Sequence, residues 1–249
     1  MGYVGPGLLE QLRLTTPDAF LAGIDTGYFA HCLTGVSVFP EDRLDVQYFA
    51  DLRKPPQDLL EGVDVIVHLA AISNDPMGDR FKEVTHDINF QASIELAKKA
   101  KAAGCSRFVF ASSCSVYGFA EGEARNEQAP LNPLTAYAKS KIGMEEELNK
   151  LADENFVVTC LRYATACGAS DRLRLELVLN DVVAGAIASK QITVLSDGTP
   201  WRPLIHVRDM ALAIDWAIHR DSTTGGAFLA LNSGSNAWNY QVRDLAEAV

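Results

Sequence analysis

Residues 63–71 have the sequence Val-Asp-Val-Ile-Val-His-Leu-Ala-Ala, which is almost wholly apolar. A run of this kind is typical of a strand that is buried on both faces at the centre of a parallel sheet. The pattern that follows predicts a long helix over 81–103, ended by Gly104, and then an apolar strand over 107–113. Strand, crossover helix and strand in this order indicate an α/β fold with parallel strands.

The same alternation continues on both sides of this unit. Upstream, it predicts a helix over 5–14 and strands over 19–25 and within 44–52. Downstream, it predicts a helix from Asn132-Pro133 to about 153, with Asn132 as the N-cap, and then a strand over 156–163. The sequence therefore predicts a doubly wound parallel sheet.

Beyond residue 165 the alternation loosens. The predicted elements are a helix over 173–189, a strand over 205–207, a helix over 209–219, a strand over 227–231 and a helical stretch over 240–249. We predict a core domain over 1–165 with a returning segment at about 204–232. A smaller, partial C-terminal lobe for the substrate would consist of 166–203 and 233–249.

Composition and charge exclude several classes of protein. The chain has 249 residues and is 48% hydrophobic, which allows one large domain or two modest ones. With 22 Lys+Arg against 32 Asp+Glu it has no broad basic face for nucleic acid. No apolar run reaches the roughly 18 residues of a membrane span, and no signal peptide is visible, so we expect a cytoplasmic protein. The 5 cysteines form no CxxC pair and the 5 histidines are scattered, which predicts no disulfide framework and no metal site.

Two motifs carry the chemistry. Tyr137 and Lys141 are 4 positions apart on a predicted helix and share one face, where a lysine cation favours the phenolate and allows proton transfer near neutral pH. Ser113 ends the strand over 107–113, at the sheet edge where ligands bind, and its hydroxyl can hydrogen-bond an oxygen that passes between alcohol and ketone. Each motif alone also has a structural explanation, namely a solvated lysine beside a half-buried ring and a serine-rich turn.

With these motifs the chain resembles the extended short-chain dehydrogenase/reductase family, specifically its NAD-dependent nucleotide-sugar epimerase/dehydratase branch and, within it, the UDP-galactose 4-epimerases. The resemblance covers essentially the whole chain and implies a Rossmann-type sheet with a smaller C-terminal lobe. The further segments that carry it are Gly2-Tyr3-Val4-Gly5, Asp25, Asp51-Leu52, His68 to Ala71, Ser112 to Gly118, Leu161-Arg162-Tyr163 and Trp201 to Asp209.

The resemblance implies a role for each matching residue. Tyr137 would be the general acid/base, Lys141 its pKa-lowering partner and a ligand of the nicotinamide ribose, and Ser113 the hydroxyl that orients the carbonyl. The residues implied to bind NAD are Gly2, Tyr3, Val4, Gly5, Asp25, Asp51, Leu52, Leu69, Ala70, Ala71, Ser73, Ser112 and Tyr163. Those implied for the substrate are Thr165, Asn180 and Arg202, the last as a clamp on a diphosphate.

Charge gives independent support for NAD as the cofactor. A carboxylate at Asp25 would repel a 2′-phosphate, and Thr26-Gly27 add no arginine to hold one, so NAD is favoured over NADP. The other arginines of the C-terminal part are interpreted as surface charges. They are Arg172, Arg174 and Arg208.

The chain departs from the family pattern in three places. It starts inside the Gly-x-x-Gly-x-x-Gly turn, so the first strand of the family pattern is missing, and we expect residues before Met1 in the natural protein. For the chain as given we expect a gap between the strands over 19–25 and 63–71. We therefore also expect marginal stability and weak NAD binding. Cys114 and Ser115 occupy the positions where dehydratases and decarboxylases carry carboxylates, which disfavours both reactions. Thr165 stands where many epimerases have an asparagine, which leaves the sugar open.

The resulting hypothesis is a homodimeric, NAD-dependent epimerase of a nucleotide sugar. It would act at C4 through a transient keto-sugar and hydride return, with neither nucleic acid nor membrane as a partner. Two alternatives stay open at this point. One is a nucleotide-sugar dehydrogenase or ketoreductase that exchanges its NAD in each cycle, and the other is a truncated, non-catalytic member of the family.

Overall fold

The structure is a computed structural model that describes residues 1–73, 75–119 and 124–249, with the backbone alone at 75, 76 and 79. Its elements follow in chain order. They are α1 (Gly5–Thr15), β1 (Ala22–Asp25), β2 (Val46–Phe49), β3 (Val65–His68), α2 (Asp75–Arg80), α3 (Lys82–His86), a π-helical turn (Asp87–Ala92), α4 (Ser93–Ala102), β4 (Arg107–Ser113), α5 (Ala136–Leu151), β5 (Val157–Tyr163), β6 (Thr165–Cys167), α6 (Val178–Ala188), β7 (Trp201–His206), α7 (Val207–His219), β8 (Phe228–Ser233), β9 (Asn239–Gln241) and α8 (Val242–Ala248).

The predicted parallel sheet is confirmed. β3, β4, β5 and β8 lie side by side in that order and are all parallel. β1 and β2 form a separate parallel pair. Within the described residues β1 pairs only with β2 and β3 only with β4, so each has one edge without a strand partner.

Helices cover both faces of the four-stranded sheet. Phe108 and Phe110 of β4 face α4 and α5 and pack with Met144 and Leu148. Val109, which points to the opposite face, belongs to a second core with residues of α1 and α7. This arrangement of two helical layers is the doubly wound architecture that the sequence predicts.

Several predicted boundaries are wrong. The helix expected from Asn132 begins at Ala136, because the Asn132 N–H donates to the Val116 carbonyl (2.9 Å) and Thr135 is the N-cap instead. The helix expected over 173–189 spans only Val178–Ala188. The helix over 81–103 is interrupted by the π-helical turn. β6 and β9, which form a small sheet with β7, were not predicted, since strands of three residues carry almost no pattern.

The division into a core domain and a substrate lobe stays a prediction. None of the helices in the described ranges is both long and apolar enough to cross a membrane.

Candidate active site

The candidate site lies at the carboxyl ends of the parallel strands. β4, β5 and β8 end in register, with Ser113, Tyr163 and Ser233 as neighbours across the sheet. β1 ends at Asp25, whose carboxylate contacts the ammonium group of Met1, next to the start of α1. The end of β1 and the N-terminus of α1 therefore lie together, an arrangement that binds ligands in open α/β sheets.

Tyr137 and Lys141 lie in the first two turns of α5. Lys141 is buried (3% exposed), and its Nζ donates to the Ala111 carbonyl (2.6 Å) while lying 4.6 Å from the centre of the Phe110 ring. The same Nζ is 5.1 Å from the centre of the Tyr137 ring, so the structure brings the predicted pair together. Burial lowers the pKa of Lys141 to about 7, which makes proton exchange at this position accessible near neutral pH.

Ser113 ends β4 and begins a 3₁₀ turn over Cys114–Tyr117. Its Oγ accepts a hydrogen bond from the Ser115 N–H (3.2 Å). The turn ends at Gly118, which has φ = +66°, and a Cβ at this position would overlap the carbonyl oxygen of Asn132. This close approach joins the loop after β4 to the segment before α5, so the segments that carry Ser113 and Tyr137 are fastened to each other.

Most of the residues predicted to bind NAD lie before α1 or at or just after the ends of β1, β2 and β3. Asp25 Oδ1 accepts from the Gly27 N–H (2.7 Å). Asp51 forms an ion pair with Arg53 (2.6 Å), and the hydrogen bond from Arg53 lowers the pKa of Asp51. Gly2, Val4, Leu69 and Ala71 are partly buried, whereas Leu52 is buried in the core and Ala70 is exposed. The Ser73 hydroxyl accepts from Arg174 (3.0 Å).

The side chains of four predicted site residues form hydrogen bonds with other residues of the protein. Ser112 donates to Glu145, Tyr163 donates to the Met210 carbonyl (3.3 Å), and burial raises the pKa of Tyr163. Tyr3 donates to the Gly168 carbonyl, and Asn180 accepts from the Gly168 N–H (2.9 Å). Any contact of these four with a ligand would have to come from the backbone or from an exchange of these bonds.

The remaining predicted substrate residues are more accessible. Arg202 is exposed on β7 and donates to the Trp201 carbonyl (3.0 Å), and Thr165 is half-buried in β6. The positive charge of Arg202 acts on the Cys114 thiol by lowering its pKa, an effect smaller than that of burial.

The interpretation of Arg172 as a surface charge is wrong. Arg172 is 3% exposed, forms an ion pair with Glu41 (2.8 Å) and donates to the Phe29 carbonyl (3.1 Å). Arg174 is partly buried as well, whereas Arg208 is exposed. The partners of Arg172 lie more than 130 positions away, so no local signal could have indicated its burial.

Three buried polar residues beside the site were missed by sequence reasoning. Asn89 accepts from the Ile72 N–H (2.8 Å) and donates to the Ile72 carbonyl (2.9 Å), which holds the loop after β3. His68 donates through Nε2 to Ser93 (2.8 Å), because the Ser93 hydroxyl itself donates to a carbonyl. Glu145 forms an ion pair with Arg162 (2.6 Å), and its position 4 residues after Lys141 was the available signal.

The comparison with protein families decides the assignment. The sequence profile of the NAD dependent epimerase/dehydratase family matches residues 1–230. The chain belongs to this family. The predicted family and its cofactor, NAD, are therefore confirmed.

Relatives within the epimerase/dehydratase family cover most of the chain. It is 29% identical, over 86% of its length, to the uncharacterized UDP-glucose epimerase YtcB of Bacillus subtilis (strain 168), of which 68% is covered. It is 28% identical over its full length to a UDP-glucose 4-epimerase of Streptomyces lividans, of which 77% is covered. Among solved structures, MoeE5 in complex with UDP-glucuronic acid and NAD is 25% identical, with a TM-score of 0.81, and the match covers 100% of this chain and 79% of that one.

The residues of this family member fit NAD. α1 starts at Gly5, and its positive N-terminal end suits a pyrophosphate. The carboxylate of Asp25 ends β1 beside it and suits ribose hydroxyls. Tyr137 and Lys141 lie together on α5 and offer a hydroxyl and an ammonium group that suit a nicotinamide ribose.

Proposed function

We propose that the chain epimerises a nucleotide sugar at C4 through a transient keto-sugar. The observation that carries the proposal is the Tyr137–Lys141 pair on α5, together with Cys114 after the end of β4, where other reactions would need a carboxylate. The two relatives named as UDP-glucose epimerases support the same reaction and favour a UDP-sugar as substrate.

The proton chemistry follows from three side chains. Tyr137, as the phenolate, would take the proton of the sugar hydroxyl and later return it to the keto oxygen. Lys141, as the ammonium ion, would stabilise the phenolate, and the Ser113 hydroxyl would hold the sugar oxygen in place. NAD, when bound, supplies an acceptor for the hydride of the sugar carbon and a donor for its return.

The thiol at Cys114 favours epimerisation over dehydration as the reaction of this site. Elimination of water needs a second acid/base beside the sugar, which a carboxylate provides near pH 7. Burial raises the pKa of the Cys114 thiol to about 11, so it stays protonated and is a poor base. Ser115, the next residue, offers a hydroxyl that does not titrate in this range.

The substrate side of the proposal rests on Arg202 and Thr165. The exposed guanidinium of Arg202 is accessible to a diphosphate, for which its planar fork is well suited. Thr165 would face the sugar or diphosphate from β6. Asn180 would act indirectly, because its side chain forms hydrogen bonds with Gly168 and Tyr3 and holds them in place. We also propose that the active form is a homodimer.

The proposal is tested by asking whether the reaction produces NADH. UDP-glucose carrying deuterium at C4 is incubated with the purified protein and NAD, and the epimer is expected to form with its deuterium retained and without accumulation of NADH. One NADH for each product would establish the dehydrogenase alternative. If neither UDP-glucose nor UDP-N-acetylglucosamine reacts while NAD binds, the C4-epimerase proposal is wrong for these substrates and the non-catalytic alternative is favoured.

A further inference from the structure

A buried polar row lies directly behind the Tyr137–Lys141 pair. Ser112 on β4, Arg162 on β5 and Asn232 on β8 are register neighbours across the sheet. Each stands one position before the strand-end residues of the site, and Ser112 and Arg162 are at most 6% exposed. The row therefore ties together the three strands whose ends form the candidate site.

Glu145 joins this row to the helix that carries the pair. Tyr137, Lys141 and Glu145 are spaced by four residues on α5 and share one face. The Ser112 hydroxyl donates to Glu145 Oε1 (2.5 Å), and Arg162 donates from Nε to Oε1 (3.0 Å) and from Nη2 to Oε2 (2.6 Å). Both carboxylate oxygens are thus held in a fixed geometry.

Arg162 and Asn232 of this row also form hydrogen bonds with Tyr117. Arg162 Nη1 donates to the Tyr117 hydroxyl (2.9 Å), which donates to Asn232 Oδ1 (2.6 Å). Tyr117 belongs to the turn that follows Ser113. The same arginine therefore contacts both the carboxylate of α5 and the turn that positions Ser113.

Glu145 is also the carboxylate among the described side chains that face Lys141. Cys160 on β5 faces Lys141, but burial raises the pKa of its thiol well above the ordinary value, so it is neutral. His68 on β3 faces it too, and burial lowers the pKa of His68 to about 3, so it is neutral near pH 7. Tyr137, whose ring centre lies 5.1 Å from Lys141 Nζ, carries a negative charge only as the phenolate that takes the proton of the substrate, and the charge of Arg162 is paired with Glu145 itself.

A buried ion pair is weak evidence for stability, since its desolvation offsets much of the attraction between the charges. The Glu145–Arg162 ion pair lies next to the catalytic pair, which indicates a role in positioning the site. We propose that Glu145 is a positioning residue for the catalytic pair, which fixes α5 against β4 and β5 and keeps Lys141 protonated. This inference rests on the proposed function, in which Tyr137 and Lys141 act on the substrate.

The test compares Glu145→Gln with Glu146→Gln, the same change on the exposed face of the same helix. The NAD-loaded proteins are assayed with UDP-glucose across pH. Glu145→Gln is expected to lower kcat about tenfold or more, with KM nearly unchanged, because a small displacement of the catalytic groups is costly. The alkaline limb of its pH profile is expected to move to lower pH by about half a unit or more, because Lys141 loses the charge that favours its protonated form.

A second measurement does not depend on catalysis. The difference in unfolding free energy between the wild-type and Lys141→Met proteins rises with pH between the pKa of Lys141 in the folded protein and its pKa in the unfolded chain. The midpoint of this rise moves with the folded-state pKa. In the Glu145→Gln background this midpoint is expected to move to lower pH, and in the Glu146→Gln background it is expected to stay. A midpoint shift in a chain that does not convert UDP-glucose would contradict the proposed function and still support the effect of Glu145 on Lys141.

The proposal is overturned if folded Glu145→Gln protein matches Glu146→Gln in kcat, in its alkaline limb and in the midpoint. If Glu145→Gln does not fold, Ser112→Ala takes its place, since it removes one bond to Glu145 and leaves the ion pair. Ser112→Ala is expected to lower kcat several-fold without moving the alkaline limb. An unchanged kcat in Ser112→Ala would then overturn the positioning role.

Discussion

The Tyr3 hydroxyl donates a hydrogen bond to the Gly168 carbonyl (2.7 Å), across 165 positions of the chain. The Asn180 side chain donates to the same hydroxyl (3.4 Å). These bonds fasten the turn before α1 to the segment that follows β6. Because Tyr3 and Asn180 are at most 9% exposed, loss of the hydroxyl would leave buried polar groups unpaired.

Tyr3→Phe is therefore expected to lower the free energy of unfolding by about 1–3 kcal/mol and to weaken NAD binding. Denaturant unfolding and an NAD titration measure the two effects. Tyr28→Phe is the matched control, because the Tyr28 side chain is 63% exposed. Equal stability and equal NAD affinity of the two variants would contradict the role given to the Tyr3 hydroxyl.

Tyr137→Phe is expected to reduce kcat about 10²- to 10⁴-fold, the usual contribution of a general acid/base, while the fold is retained. The measurement is conversion of UDP-glucose, with circular dichroism as the check on folding. Wild-type activity in this variant would remove Tyr137 from the mechanism.

The burial of Lys141 is expected to make the free energy of unfolding depend on pH. Its pKa is about 7 in the folded protein and 10.5 in the unfolded chain, so between these values the unfolded chain binds more protons and stability rises with pH. Relative to Lys141→Met, the wild-type protein is expected to gain stability from about pH 7 towards pH 10. Denaturant unfolding at several pH values measures this difference, and a difference that does not change with pH would show that Lys141 is not buried as a titrating group.

His68 predicts sensitivity to acid. Burial lowers its pKa from 6.5 to about 3, so between these values the unfolded chain takes up a proton that folded His68 does not. Stability contributed by neutral His68 is complete above 6.5 and is lost as the pH falls towards 3. His68→Gln is expected to lose less stability over this range than the wild type. Parallel pH profiles of the two proteins would argue against the prediction.

Gly118→Ala is expected to destabilise the loop between Ser113 and Tyr137. The backbone at Gly118 has φ = +66°, and the added Cβ would overlap the Asn132 carbonyl oxygen. Strain of this kind costs roughly 1–3 kcal/mol, to which the overlap adds. Gly62→Ala separates the two contributions, because Gly62 has φ = +70° and no neighbouring atom near the new Cβ. If both variants lose the same stability in denaturant unfolding, the close approach to Asn132 has no energetic consequence.

Much of the fold could be predicted from the sequence, because its signals are local. The strand over 107–113 has the predicted boundaries, because Gly104 ends the helix before it and an apolar run forms its centre. Tyr137 and Lys141 could be paired from their spacing alone, because an interval of four residues places two side chains on one face of a helix. The start of α5 could not be predicted in this way, because the Asn132 backbone bonds a loop residue 16 positions earlier.

The sequence by itself determined the class of the sheet and the family, and it predicted Tyr137 and Lys141 as the pair for proton transfer. Only the tertiary structure decided what surrounds that pair. It placed Glu145 against Arg162, buried Arg172 on Glu41, and joined Tyr3 to Gly168 over separations of 17, 131 and 165 positions. Such contacts depend on how helices and strands pack, and packing brings together residues whose local sequence contains no information about one another.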